Sequence, residues 1–328
     1  MRRSLCLSVR QPSADQVASN ATRPVSELKR RHHYVWQHYL RAWERDGVVA
    51  CLRGSRLFAT GTTTLAVETD FYRVTDLSTN EQLLVARLAL TTPDPLMRQM
   101  NAGWLEMFLA PAKLRKIAQD AQVHEELLEQ FEVAYANLEE ELHCKIEEAA
   151  IPHIDELRFG RLEFLNASEN RTAFLHFLTT QYLRTRKMLD AMLYALPAIE
   201  GVRIDRVWSV LRHCFATNIG LSLSRLWEQT DVALLHAPHG SEFITSDQPT
   251  VNLHARGKPR DEPVDHVVIY YPLSPKLALR WDPTASARRL HQVVATVKEV
   301  DDMNGTMAEM SHTQLYASYP GALEKWRT

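Results

Sequence analysis

The first pattern whose residue types could support chemistry is the stretch "KRRHHYVWQHYLRAW" (residues 29–43). It combines a basic run, three histidines and large aromatic side chains. Read as a helix, this stretch places His33 just inside the helix start, a position suited to the rim of an active site. Only one of His32 and His33 can face inward, and His33 is the functional candidate. The basic run, including Arg31, could contact phosphate or be a solvated helix entrance. His38 is interpreted as a packing residue.

A second pattern is "FITSDQPTV" (residues 243–251). A strand that ends in Ser-Asp-x-Pro places the hydroxyl of Ser246 and the carboxylate of Asp247 on a tight turn whose backbone Pro249 fixes. Turn residues held by a rigid sheet often carry catalytic groups. The alternative is that Asp247 only caps its own turn by accepting backbone hydrogen bonds.

The third pattern is "QYLRTRK" (residues 181–187), where Gln181 and Arg184 lie one turn apart on an otherwise apolar helix. A buried guanidinium without a partner is strongly unfavourable, so Arg184 needs a carboxylate. Asp247 is the partner we expect. Such a pair would either join helix to sheet or form an anion-binding corner.

Asn304, in "VDDMNGTMAEMS", precedes a glycine, a pattern typical of a turn or helix cap, although an amide there could also orient a substrate. The sequence contains no phosphate-binding glycine loop, dinucleotide fingerprint, nucleophile elbow or two-histidine zinc helix.

Composition is that of an ordinary globular protein: 328 residues, 45% hydrophobic and 24% charged, with a formal net charge of -2. Nucleic acid could therefore bind only through a local basic patch. The four cysteines lack the close spacing of a zinc or redox pair, which favours a reducing compartment. Without a signal-peptide core or a membrane-length apolar run, we expect a cytoplasmic protein with no membrane partner.

The elements that would position these residues divide the chain into blocks. Residues 1–28 read as a flexible leader, and residues 29–328 as one α+β domain, which could be subdivided into 29–229, mainly helical with a small hairpin unit, and 230–328, rich in sheet. We expect a helical bundle in the middle of the chain and a mainly antiparallel C-terminal sheet.

Several finer expectations concern individual elements. The acidic stretch from Ala112 to Ala149 is predicted to be a helix that Pro152 stops, with its glutamates on a solvated face that could alternatively dock a protein partner. Helices are also predicted after Ser168 and from Arg203 to Glu228. The last segments predict a helix around Asn304 and a closing strand.

Taken in order, six segments resemble the landmarks of a prokaryotic family, domain of unknown function 4238. They are "KRRHHYVWQHYLRAW", "ETDFY", "FLTTQYLRTR", "FITSDQPTV", "YYPLSPKLAL" and "EVDDMNG", and the similarity runs from Lys29 to Ser318. Trp36 stands where the family usually has proline, and Ser311 where alanine is usual. The resemblance implies a bacterial cytosolic protein, and the dispersed polar residues of its motifs suggest a convergent site.

Two functions fit these observations. The first is a metal- or phosphate-directed hydrolase, most concretely a nuclease-like protein in phage defence. Asp247 and His33 would then bind Mg²⁺ or Mn²⁺ or activate water, and Arg184 would stabilise an anionic group. The residues that would contact the substrate are Gln181, Ser246, Asn304 and Arg31. The weakness of this hydrolase hypothesis is that Asp247 is the only carboxylate placed in the site, and Glu68 is a much weaker second candidate. The alternative is a non-catalytic ligand- or protein-binding module in which these residues form a structural polar network.

Overall fold

The computed structural model describes residues 27–259, 262 and 264–327. All but the last two residues of the predicted leader lie outside this described part, as do residues 260, 261, 263 and 328.

Helices dominate the middle of the described chain. They are α1 (Gln37–Leu40), α2 (Thr79–Ala89), α3 (Pro95–Asp120), α4 (Glu125–Ala136), α5 (Leu138–Arg158), α6 (Ser168–Leu183), α7 (Arg186–Ala195), α8 (Ile204–Arg225) and α9 (Val297–Met310). Two of them, α2 and α9, start with capping boxes in which Ser78 pairs with Glu81 and Thr296 with Glu299. Each box satisfies backbone amides that would otherwise lack partners.

Strands lie mostly at the two ends of the chain. They are β1 (Arg31–His33), β2 (Val49–Arg53), β3 (Arg56–Thr60), β4 (Val67–Thr69), β5 (Asp231–His236), β6 (Thr245–Ser246), β7 (Val251–Asn252), β8 (Ile269–Ser274), β9 (Leu277–Asp282), β10 (Arg289–Val294) and β11 (Gln314–Ala317). The described residues form three sheets, with the orders β1-β4, β10-β5-β9-β8-β7 and β3-β2-β11-β6. Every strand pair is antiparallel except β10 with β5.

The central strands β5, β8 and β9 of the five-stranded sheet are buried on both faces, whereas the edge strand β10 is largely exposed. Along β5, Val232 and Leu234 join one hydrophobic cluster, whereas Ala233 and Leu235 join another. Side chains alternate across a strand, so successive residues must pack against different layers. The first cluster includes residues of α5 and α6, and the second includes residues of α9 such as Met307. The sheet is therefore sandwiched between the helical bundle and α9.

The α+β fold expected from the sequence is confirmed. The middle of the chain is helical, the C-terminal sheet is mainly antiparallel, and a β2-β3 hairpin turns at Gly54, where φ is +56°. Helices α6, α8 and α9 and the closing strand β11 also lie where the sequence predicts them. None of the helices in the described residues is both long and apolar enough to span a membrane.

The opening stretch is not the continuous helix that we expected. Its first part is strand β1, which pairs with β4, and the helix begins only at Gln37. Trp36 has φ -56° and ψ 122°, an extended conformation that a proline also adopts, and it separates strand from helix. Alternation along the strand buries His32 completely, while His33 is only half-buried. The expectation that His33 would occupy a helix start is therefore wrong.

The acidic region also differs from the prediction. Instead of one helix ended by proline, the chain forms α3, α4 and α5, and Pro152 lies inside α5, which continues to Arg158. Packing of α5 against α6 maintains the helix beyond the proline. The glutamates do not share one solvated face, because Glu139 and Glu147 are buried.

Candidate functional site

Arg184 forms a buried ion pair at the end of α6, but its partner is Glu147 of α5 and not Asp247. Its Nη2 also donates to the backbone carbonyl of His33 at 2.7 Å, and its Nε donates to the hydroxyl of Tyr72 at 2.9 Å. Burial alone would lower the pKa of Arg184, but Glu147 and Tyr72 raise it above its ordinary value. The expected Arg184–Asp247 pair is wrong because α5 supplies the nearer carboxylate.

Gln181 belongs to the same buried network, since its Nε2 donates to Oε1 of Glu147 at 3.4 Å. His33 contributes mainly through its backbone carbonyl, while its Nδ1 lies 3.3 Å from the carbonyl of Leu65. Burial lowers the pKa of the His33 imidazole. The structure thus brings Gln181, Arg184 and the backbone of His33 together around Glu147.

Asp247 is sealed in the interior and binds backbone amides. Its carboxylate accepts hydrogen bonds from the amides of His312 and Thr313 at 2.7 Å and of Gln314 at 3.0 Å, and from the Thr313 hydroxyl at 3.0 Å. Burial raises the pKa of Asp247, and these hydrogen bonds oppose the rise. The carboxylate fastens the turn after β6 to the segment before β11.

The other predicted site residues, Ser246, Asn304 and Arg31, each form hydrogen bonds with backbone atoms. The hydroxyl of Ser246 closes the turn by accepting from the amide of Gln248 at 3.0 Å. Asn304 joins α9 to the sheet, because its Oδ1 accepts from the amide of Ile244 at 2.9 Å and its Nδ2 donates to the carbonyl of Glu242 at 2.8 Å. Exposed Arg31 donates to the carbonyl of Thr63.

The predicted site residues do not line one solvent-accessible pocket. Asp247, Ser246 and Asn304 lie with the sheet and α9, whereas Arg184 and Gln181 lie with Glu147 in the helical bundle. For a candidate site the structure points instead to a cavity beside α8.

This cavity, of about 480 Å³, lies between α7, α8 and the chain around β4. We call it the arginine cavity, because its lining includes Arg73, Arg186, Arg203, Arg206 and Arg212. Four carboxylates also line it, so guanidinium groups outnumber carboxylates by one. A cavity of this charge suits an anionic ligand.

At the buried end of the arginine cavity, Arg212 pairs with Glu139. Nε of Arg212 lies 2.7 Å from Oε1 of Glu139, and Nη2 donates to Oε2 at 3.2 Å. Both side chains are at most 5% exposed. Burial would raise the pKa of Glu139, but Arg212 and two neighbouring histidines lower it to about 2.

Those histidines are His143 of α5 and His213 of α8, and with Glu139 they form what we call the Glu-His-His group. Nε2 of His213 lies 3.2 Å from Oε1 of Glu139, and Nε2 of His143 lies 3.7 Å from it. Burial lowers the pKa of both imidazoles, that of His143 to well below its ordinary value. Both rings are therefore neutral near pH 7.

Comparison with known proteins identifies a family. Residues 31–320 match the family described as "Protein of unknown function (DUF4238)". The chain belongs to the DUF4238 family. Comparisons with curated proteins and with solved structures found no match.

The segments that carry the DUF4238 resemblance occupy defined places in this fold. The opening stretch forms β1 and α1, the Gln-x-x-Arg-Thr motif ends α6, the Ser-Asp-x-Pro turn follows β6, and the late asparagine lies on α9. Several of their polar groups, such as those of Asp247, Asn304 and Arg184, hydrogen-bond to backbone atoms of other segments.

Sequence reasoning missed the Glu-His-His group, Arg212 and the buried role of Glu147. A signal existed in "LEEELHCKIEEAA", because Glu139, His143 and Glu147 recur every four residues and so share one face of a helix. The many exposed glutamates around them obscured this face. No sequence signal connects α5 to His213, which is 70 residues further along the chain than His143.

Proposed function

We propose that this DUF4238 protein is a phosphoester hydrolase that binds the phosphate of its substrate in the arginine cavity and activates water at the Glu-His-His group. A phosphodiester is the concrete substrate class, which retains the nuclease-like hypothesis but moves it to other residues. The observation that carries the proposal is the buried Glu139–Arg212 pair at the inner end of a cavity lined by five arginines.

Ion pairs hold some of these arginines in place. Arg186 pairs with Glu68 at 2.8 Å and with Asp190 at 2.9 Å, and Arg203 pairs with Asp205 at 2.6 Å. Guanidinium groups oriented in this way can bind phosphate oxygens without first losing side-chain freedom.

Two cavity arginines have free capacity for a ligand. Within the described residues, neither Arg73 nor Arg206 forms an ion pair. The cavity volume of about 480 Å³ lies in the range of small-molecule sites, which is roughly 300–1,000 Å³. A phosphate with an attached nucleoside is of suitable size.

Hydrolysis needs charge stabilisation on phosphate oxygens and a group that accepts a proton from water. Arg212 links these requirements, because it lines the arginine cavity and contacts Glu139 of the Glu-His-His group. The neutral imidazoles of His143 and His213 lie directly behind Glu139 and can accept a proton or bind an ion.

A second function, anion binding without turnover, is favoured by one observation. The carboxylate of Glu139 is already paired with Arg212, as in a module whose polar groups only shape a pocket. This module would bind the same phosphate ligand but release it unchanged.

The test measures hydrolysis of bis(p-nitrophenyl) phosphate and of DNA and RNA oligonucleotides, each with and without added divalent metal. Arg73→Gln and Arg206→Gln should each raise the KM about tenfold or more, the effect of losing one charge-assisted hydrogen bond. Arg87→Gln, which changes an exposed arginine of α2, should leave KM unchanged. Nucleotide binding without hydrolysis would favour the binding module, and the absence of both would refute the proposal.

A further inference from the structure

Three buried side chains that commonly bind metals meet behind the inner end of the arginine cavity, which Glu139 lines. The donor atoms of Glu139, His143 and His213 all lie within 4.8 Å of one another. We propose that the Glu-His-His group binds one divalent transition-metal ion of the zinc type. The use of this ion in catalysis rests on the proposed phosphoester hydrolysis, but its binding does not.

An independent observation supports a ligand at this place. Both ring nitrogens of His143 and the Nδ1 of His213 are buried without a hydrogen-bond partner among the described residues. Buried polar atoms are almost always paired, because leaving one unpaired costs free energy. An ion coordinated beside Oε1 of Glu139 would supply a partner for Nε2 of His143, the unpaired nitrogen that faces this oxygen.

The fold places the donors in a suitable pattern. Glu139 and His143 are four residues apart and share one face of α5, while His213 faces them from α8. In a tetrahedral site, donors about 2.1 Å from the ion lie about 3.4 Å apart, so binding would draw together the donors, which now lie within 4.8 Å of one another, by up to about 1.4 Å.

The donor set selects the class of ion. Two imidazole nitrogens and one carboxylate suit Zn²⁺, Co²⁺ or Fe²⁺, whereas Mg²⁺ prefers oxygen ligands. This choice departs from the Mg²⁺ or Mn²⁺ that the sequence predicts at Asp247 and His33.

Arg212 is compatible with an ion in this position. The ion would take Oε1 of Glu139, the oxygen nearest both imidazoles, and would displace Nε of Arg212 from its position 2.7 Å from that oxygen, while Nη2 of Arg212 keeps its hydrogen bond to Oε2 at 3.2 Å. Hydrogen bonds of this kind orient the carboxylate ligands of many metal sites.

The surrounding charges also leave room for a cation. On the buried side of α5, the carboxyl groups of Glu139, Glu140 and Glu147 face the guanidinium groups of Arg184 and Arg212. Oε2 of Glu140 is buried without a partner among the described residues. A divalent ion at the Glu-His-His group would therefore lie near carboxyl groups as well as guanidinium groups.

The first test measures binding of Zn²⁺ and Co²⁺ to the full chain after treatment with a chelator. We expect about one ion per chain, and a loss of affinity of about tenfold or more in His143→Gln and in His213→Gln. His176→Gln is the matched control, since His176 is a half-buried histidine of α6 outside the Glu-His-His group, and it should bind like the wild type. Equal binding by wild type and His143→Gln would overturn the proposal.

The second test needs no variant and so does not depend on the folding of a mutant. X-ray absorption at the zinc edge of the loaded wild-type chain should show two imidazole ligands and oxygen. A spectrum without imidazole scattering, or no bound zinc, would overturn the proposal. Metal binding at these histidines without hydrolysis would refute only the proposed function. Hydrolysis by a chain that binds no metal would refute only the metal site.

Discussion

Arg212 and Glu139 form an ion pair that is almost fully buried, with Nε of Arg212 2.7 Å from Oε1 of Glu139. Arg212→Met would leave the carboxylate buried without its charge partner. We expect a loss of about 3–5 kcal/mol in the free energy of unfolding, measured by urea denaturation in the presence of a chelator. The double variant Glu139→Leu/Arg212→Met should regain most of this loss, because it buries no charge. A double variant less stable than Arg212→Met would contradict this explanation.

Asp247→Asn tests whether this carboxylate has a structural role. An asparagine has only one acceptor oxygen and would turn its NH₂ group towards backbone amides of the 312–314 segment. We expect a stability loss of about 1–3 kcal/mol, measured by thermal and urea unfolding. Phosphoester hydrolysis and zinc content should remain those of the wild type when measured well below the melting temperature.

Thr313→Val is the control for the Asp247 contact, because it removes only the hydroxyl that donates to the carboxylate at 3.0 Å. The expected loss is about 1 kcal/mol, smaller than that of Asp247→Asn. If Asp247→Asn abolished hydrolysis without lowering stability, Asp247 would instead have a direct role in the reaction.

The C-terminal half could be predicted from sequence because its signals are local. Strands β5, β8 and β9 are short apolar runs between turn residues, and Thr296 with Glu299 marks the start of α9. The prediction for the opening stretch was wrong because the structure there depends on a distant part of the chain. Strand β1 exists because it pairs with β4, which lies more than thirty residues away, and no local pattern reveals this pairing.

The candidate site was harder still to predict, because it depends on which helices pack together. Arg184 could be recognised as needing a carboxylate, but the choice between Asp247 and Glu147 is made by the packing of α5 against α6. His213 appears in the sequence as a single histidine on a helix. Only the meeting of α8 with α5 places it beside Glu139.

His176 should make the stability of the protein depend on pH. Burial lowers the pKa of its imidazole from 6.5 to about 4. Below pH 6.5 the His176 imidazole therefore binds a proton in the unfolded chain but not in the folded chain. The free energy of unfolding consequently falls as the pH drops from 6.5 to 4. The contribution of this one group is at most about 3 kcal/mol.

The measurement compares urea unfolding of wild type and His176→Gln between pH 4 and 8, again with a chelator. His143 and His213 act in the same direction in both proteins, so the difference between the two curves reports His176 together with its interaction with His213. The variant should lose less stability on acidification. His239→Gln, which removes an exposed histidine, is the control and should follow the wild type. Parallel curves for wild type and His176→Gln would contradict the prediction.

Gly220 allows α8 to approach α6 closely. A Cβ atom at this position would lie 3.1 Å from the backbone nitrogen of His176 and 3.2 Å from its Cα, and a helix backbone cannot move aside easily. Gly220→Ala should therefore lower the free energy of unfolding by about 1–3 kcal/mol, despite the gain of up to about 1 kcal/mol that alanine brings to a helix. Gly103→Ala on α3 is the matched control, because nothing lies within 4 Å of its added Cβ, and it should stabilise the protein slightly. Equal shifts of the urea midpoint in the two variants would show that helix propensity, and not the contact between α6 and α8, determines the effect.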